Sequence, residues 1–148
     1  MKVERMIHCW ILGDKYDIKE FQDIAMIHLL KLTDSEYITV NLAKLAFENS
    51  APSSPLRTLM AEELACLIVD SESGEYGGDE DYEHKHLQVF DGIPGFASEL
   101  LYAIDKRRFQ GIGARLCEDG PWEDFMVEKG PKKRFWVTDA QSWGEISQ

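Results

Sequence analysis

The chain has 148 residues, 44% of them hydrophobic and 29% charged, the proportions of a globular chain holding one domain or a small domain with a tail. Its formal net charge of −11 repels phosphate backbones, which argues against nucleic acid and anionic membranes as partners. No apolar run reaches the length of a membrane-spanning helix, no signal-peptide pattern opens the chain, and three widely spaced cysteines (Cys9, Cys66, Cys117) fit a reducing intracellular compartment, cytoplasmic or nuclear.

Val3, Met6, Ile7, Trp10 and Ile11 fall on one helical stripe, and Gly13 with Asp14 is expected to end it. Asp17 offers an N-cap oxygen with Glu20 three residues on, a capping-box spacing. Ile18, Phe21, Ile24, Ala25, His28, Leu29 and Leu32 then repeat at helical spacing. Met26, Ile27 and Leu30 widen that stripe, which predicts burial on more than one side. The short connection predicts a helical hairpin. Thr33-Asp34-Ser35 carries capping residues for a third helix, faced by Ile38, Leu42, Leu45 and Ala46 and broken at Asn49-Ser50.

Ser54 followed by Pro55 opens a fourth helix, because proline's missing N–H is harmless in the first turn. Its face is Leu56, Leu59, Met60, Leu64, Leu67 and Ile68, interrupted by Glu63. Residues 71–83 hold six acidic side chains, three glycines and no basic residue, so 71–85 reads as a solvated acidic linker. His86 to Phe90 suits a short helix. Pro94 starts another, with Phe96, Leu100, Leu101 and Ile104 on one face.

The pattern changes at Lys106. Residues 1–105 hold 8 basic and 20 acidic side chains, whereas residues 106–148 hold 8 and 7. Gly111, Gly113, Gly120, Pro121, Gly130 and Pro131 punctuate this second part. Arg134 to Thr138 suits a strand, and Asp124 to Val127 is placed to pair with it as a β-hairpin. The chain thus divides into a helical region, 1–105, and a Gly/Pro-punctuated aromatic tail, 106–148.

Trp10-Ile11-Leu12-Gly13-Asp14-Lys15-Tyr16-Asp17-Ile18, followed by Phe21 and Ala25, resembles the end of a BTB/POZ domain of the fungal type. There one helix closes on Ala-(Asp/Glu)-Lys-Tyr and the next continues with Leu and Ala. Ile38 to Glu48 is similar to the helix that follows in that branch. Leu56-Arg57 is similar to its Leu-Arg-Asp-type helix, and Phe96-Ala97-Ser98-Glu99-Leu100-Leu101 to its closing helix. The resemblance covers about residues 3–105 in the family's order. Gly13 and Phe21 depart from the usual Ala and Leu. The family's leading strands and first helices have no counterpart in this sequence, so the resemblance implies the C-terminal part of the domain and its trailing helices. It implies a protein partner, either a cullin scaffold of ubiquitin ligation or another BTB protein. Self-association is left open, since the usual dimer half is missing. The surface implied is the exposed sides of the 35–48 and 55–70 helices.

Reactive chemistry finds little support in the sequence. His84, His86 and Cys117 are too few and too scattered for a zinc site, which needs about four ligands. Asp79, Asp81 and Glu83 alternate but lack the remaining ligands of a calcium loop. Gly111-Ile112-Gly113 lacks the third glycine of a dinucleotide fingerprint, and no nucleophile elbow or P-loop is present. No catalytic residue, cofactor or metal ligand is therefore assigned. His28 reads as a core histidine and Cys66 as a small buried hydrophobe. Lys132-Lys133-Arg134 reads as a solvated turn.

Trp122, Phe135, Trp136 and Trp143 are the candidate partner-binding residues; packing against the helices is the competing reading. The sequence thus predicts a mainly α bundle of five to six helices. Its expected role is a non-enzymatic protein-interaction module, with an acidic surface that steers toward basic partners. The alternative is a helical small-molecule-binding or enzymatic domain whose BTB likeness is accidental, and a third option is a degenerate fragment.

Overall fold

The computed structural model describes residues 2–35, 38–73, 84–110 and 125–128. Among them the fold is mainly α: five α-helices and one 3-10 helix, within the five to six helices expected. The chain forms two compact units, Met1–Glu36 with Arg115–Gln148, and Tyr37–Ala114. That division differs from the expected 1–105 and 106–148.

The first unit contains α1 (Lys2–Lys15) and α2 (Lys19–Ser35), which pack on each other as a helical hairpin. Val3, Ile7, Trp10 and Gly13 are the buried face of α1. The helix does not stop at Gly13 and Asp14 as expected; both lie inside it. A Cβ on Gly13 would lie 2.7 Å from Gln22 Cγ and 3.1 Å from Gln22 N. Glycine here allows the start of α2 to press against the end of α1.

The expected capping box at Asp17 is also corrected. Asp17 has φ 54°, in the left-handed region, so it closes α1 instead of opening α2. Its N–H donates to Asp14 O at 3.2 Å, and the Ile18 N–H donates to Gly13 O at 2.8 Å. That pair of bonds is a Schellman closure, with aspartate in the seat glycine usually takes.

Burial on α2 is rotated from the expected stripe. Ile18 is half-exposed, and Phe21, Ile24, His28 and Leu32 are only partly covered. The residues expected to widen the stripe, Met26, Ile27 and Leu30, are the deepest, together with Ala25, Leu29, Gln22, Asp23 and Thr33. His28 is therefore a boundary residue and not a core one. Thr33 does not cap a third helix either; it lies within α2, its hydroxyl donating to Leu30 O at 3.1 Å.

The second unit contains α3 (Val40–Glu48), α4 (Pro55–Ser73), the 3-10 helix His84–Phe90 and α5 (Phe96–Gln110). Thr39 caps α3, its hydroxyl accepting the Leu42 N–H at 3.3 Å. Asn49 and Ser50 end α3 by donating to Leu45 O and Ala46 O at 2.8 and 2.6 Å. Ser54 caps α4 with Pro55 in its first turn, as the sequence predicts. The helix reaches Ser73 and the 3-10 helix opens at His84, so both ends of the expected 71–85 linker are helical. Residues 74–83 lie outside the described residues.

Two turns with glycine at the third position, Phe90-Asp91-Gly92-Ile93 and Ile93-Pro94-Gly95-Phe96, lead into α5. Their closing N–H groups donate from Ile93 to Phe90 O and from Phe96 to Ile93 O, and Gly92 and Gly95 have φ 85° and 81°. That is the geometry for which type II turns require glycine. α5 passes unbroken through residue 106 to Gln110. Its buried face is Phe96, Leu100 and Ala103; Leu101, expected inside, points out.

Candidate functional site

The second unit is centred on Arg57, which is 4% exposed in the first turn of α4. Its Nε donates to Ser50 O at 3.0 Å and its Nη2 to Phe47 O at 2.8 Å, completing the end of α3. Its Nη1 donates to Pro94 O at 2.6 Å and to Glu99 Oε2 at 3.4 Å. The guanidinium also lies over the Phe47 ring, 5.1 Å from its centroid. Phe47 meets Phe90 and Phe96 edge-on at 5.7 and 5.1 Å, and those two rings stack at 4.1 Å. A planar cation with five donors suits this position, because several carbonyls from different segments converge on it.

Besides Arg57 and Glu99, two further ion pairs fix α5 against α4. Lys106 Nζ lies 2.9 Å from Glu62 Oε1, and Arg107 Nη2 lies 3.0 Å from Asp70 Oδ1. Burial works against the Arg107 charge, but Cys66, Asp70 and Glu63 more than offset it, raising its pKa above the ordinary arginine value. These contacts settle which side of α5 faces inward. On the outward side Leu101, Tyr102 and Phe109 are 61%, 73% and 84% exposed. At about 100° per residue these three, with Asp105 and Arg108, share one helix surface. Among the described residues of this unit most large apolar side chains are covered, so three on one exposed helix side form the candidate docking face.

The expected surface on the 55–70 helix is absent. No residue from Pro55 to Asp70 is exposed, because α4 packs against both α3 and α5. On α3 the exposed positions are Asn41 and Glu48, and Lys44 pairs with Glu48 at 3.5 Å. Trp122, Phe135, Trp136 and Trp143, the sequence candidates for partner binding, lie outside the described residues, as do Asp79, Asp81, Cys117 and Lys132 to Arg134.

In the first unit the residue that the periodicity passed over is Asp23. It is completely buried, and its carboxylate accepts the N–H of Val127 at 2.6 Å and of Glu128 at 3.0 Å. The described part of the expected 124–127 strand is consequently not a strand. Phe125 itself has 3-10 conformation, Val127 and Glu128 are bends, and the two N–H groups meet a carboxylate in place of a strand partner. The expected partner strand, 134–138, lies outside the described residues.

His8 is an exposed histidine, its ring 3.9 Å from Glu4. Cys66 is a buried cysteine. Among the described residues no group of three or more His, Cys, Asp or Glu gathers within reach of a metal ion, and no helix is long and apolar enough to cross a membrane. No protein-family model, no curated protein and no solved structure matches this chain.

Proposed function

We propose that the chain is a non-enzymatic protein-interaction module and that the outward face of α5 is its docking surface. The observation that carries this reading is the exposure of Leu101, Tyr102 and Phe109 on one side of a helix whose other side is locked to α4. Burying three such side chains against a partner supplies the apolar centre of an interface, and aromatic residues are favoured as its anchors. The net charge of −11 directs encounter toward a partner with a basic surface. Adaptor activity toward a cullin is the narrower form of the proposal, and its support is the BTB-like order of the helix motifs.

The test compares the wild-type chain with Leu101→Ser/Tyr102→Ser/Phe109→Ser, with helicity checked by circular dichroism. Binding is measured against a purified cullin scaffold and, by affinity capture, against cell extract. Partners held by the wild type and released by the folded variant support the docking face. Equal capture by both overturns it. No cullin binding at tens of micromolar overturns the adaptor reading alone, since even transient specific complexes populate that range.

A further inference from the structure

Helix α2 carries two buried faces. Gln22, Ala25 and Leu29 form one, and it lies toward α1: Gln22 Nε2 donates to Asp14 at 3.4 Å, and Gln22 is the residue a Gly13 Cβ would strike. The other begins one residue later, about 100° around the helix. Asp23, Met26, Ile27 and Leu30 recur there at i, i+3, i+4 and i+7, each 2% exposed or less. A helical stripe of three large apolar residues headed by a buried carboxylate is not what a two-helix hairpin needs for its own contact.

At the Asp23 end of this stripe sits a short segment more than a hundred residues away in sequence. Phe125 and Met126 are each 1% exposed, and the next two residues give their backbone N–H groups to the two oxygens of Asp23. The carboxylate reads main chain, and the two preceding side chains supply apolar burial. Recognition by main-chain hydrogen bonds with side-chain burial beside them is how folded domains hold short linear peptides.

We infer that the Asp23 face of the α1–α2 hairpin is a docking site for a short linear peptide, filled in cis by Phe125–Glu128. The partner it fits carries two adjacent large apolar side chains followed by two residues with free N–H groups. Proline is excluded at the third and fourth positions because it has no N–H to give. A competing segment is expected to offer the Asp23 carboxylate the same two main-chain donors. The tethered segment has the advantage of high effective concentration, which makes the chain self-blocked until it opens. This inference is independent of the α5 docking face.

The test uses the full chain and a fluorescent peptide with the sequence of residues 121–131. Phe125→Ser/Met126→Ser empties the site, and helicity confirms that the hairpin persists. The peptide is expected to bind this variant at least about tenfold more tightly than wild type, the advantage of removing a tethered competitor. Adding Asp23→Asn, or N-methylating the peptide at the positions of Val127 and Glu128, is expected to weaken binding by about tenfold or more, as loss of charge-assisted hydrogen bonds does. Equal weak binding to wild type and emptied variant overturns the inference, as does insensitivity to N-methylation. If the emptied variant fails to fold, hydrogen exchange on the wild type decides. Release of the Val127 and Glu128 amides while α2 stays protected supports a segment that opens by itself. Release only together with α2 makes it ordinary core and overturns the inference.

Discussion

Glu99 bridges two segments with its two oxygens. Oε2 lies 3.4 Å from Arg57 Nη1, while Oε1 accepts the Ser53 N–H at 2.7 Å. Ser53 has φ 63°, an uncommon backbone state for a serine, so the carboxylate holds a turn that would otherwise relax. The side chains of Arg57 and Glu99 are 5% and 16% exposed, and removing the cation strands buried acceptors. Arg57→Ala is expected to cost about 3–5 kcal/mol, the range for breaking a buried, hydrogen-bonded ion pair. Arg57→Lys should recover little, since one ammonium cannot reach carbonyls on both α3 and the Pro94 turn. Urea denaturation followed by circular dichroism measures both; a loss below 1 kcal/mol for Arg57→Ala would contradict this account.

Gly13→Ala tests the close approach of α1 and α2. Alanine gains up to about 1 kcal/mol in a helix interior. Against that, the added methyl meets Gln22 Cγ at 2.7 Å and the Gln22 backbone N at 3.1 Å. Gln22 is buried, so it has little room to move, and overpacking of this kind costs about 1–3 kcal/mol. Steric cost is therefore expected to exceed propensity, giving net destabilisation of the hairpin. A rise in melting temperature for Gly13→Ala would show that the helices can part without penalty.

Much of the helical order could be read from spacing alone, because apolar periodicity is a local property. Ser54 with Pro55 was legible for the same reason: cap and first turn are neighbours in sequence. Gln22, Asp23 and Arg57 were not. Their burial depends on acceptors and donors brought together by folding, Asp23 on amides at 127 and 128, and Arg57 on Ser50, Phe47, Pro94 and Glu99. A polar residue on a helix reads as solvent-facing until its partner is known. Asp17 misled for another reason: aspartate serves both as an N-cap and, less often, in the left-handed seat that closes a helix. On α5 the expected inward stripe includes Leu101, which points out, so the stripe is about 100° narrower than the spacing suggests. The outward aromatic residues of that helix, Tyr102 and Phe109, gave no periodic signal of their own.

His28 supplies a pH dependence with a defined sign. Burial, and secondarily the charge of Lys31, hold its pKa below the ordinary value of about 6.5. The unfolded chain therefore takes up the proton before the folded one does. Stability is fully present above the unfolded pKa, falls as pH drops below it, and stops falling once pH is below the folded pKa. Other groups titrate in the same range, so the informative quantity is the difference between two profiles. His28→Gln is expected to flatten stability against pH below the ordinary histidine pKa of about 6.5 relative to wild type. Superimposable profiles from denaturation at each pH would show that His28 is not responsible.

The pairing of α5 with α4 predicts a graded response to removing ion pairs. Arg107–Asp70 is 13% and 20% exposed and joins two helices at 3.0 Å. Lys44–Glu48 is 39% and 47% exposed and joins neighbours on α3 at 3.5 Å. Solvent screening leaves an exposed i, i+4 pair about 0.3–0.5 kcal/mol, while the mostly covered Arg107–Asp70 pair is expected near the upper end of the surface range, about 1 kcal/mol. A double-mutant cycle with Arg107→Ala and Asp70→Ala should therefore give the larger coupling energy. Raising salt should erode the Lys44–Glu48 coupling first, since burial protects a pair from counterions. Equal couplings with equal salt sensitivity would mean that Arg107 is solvated in solution and adds little to holding α5 against α4.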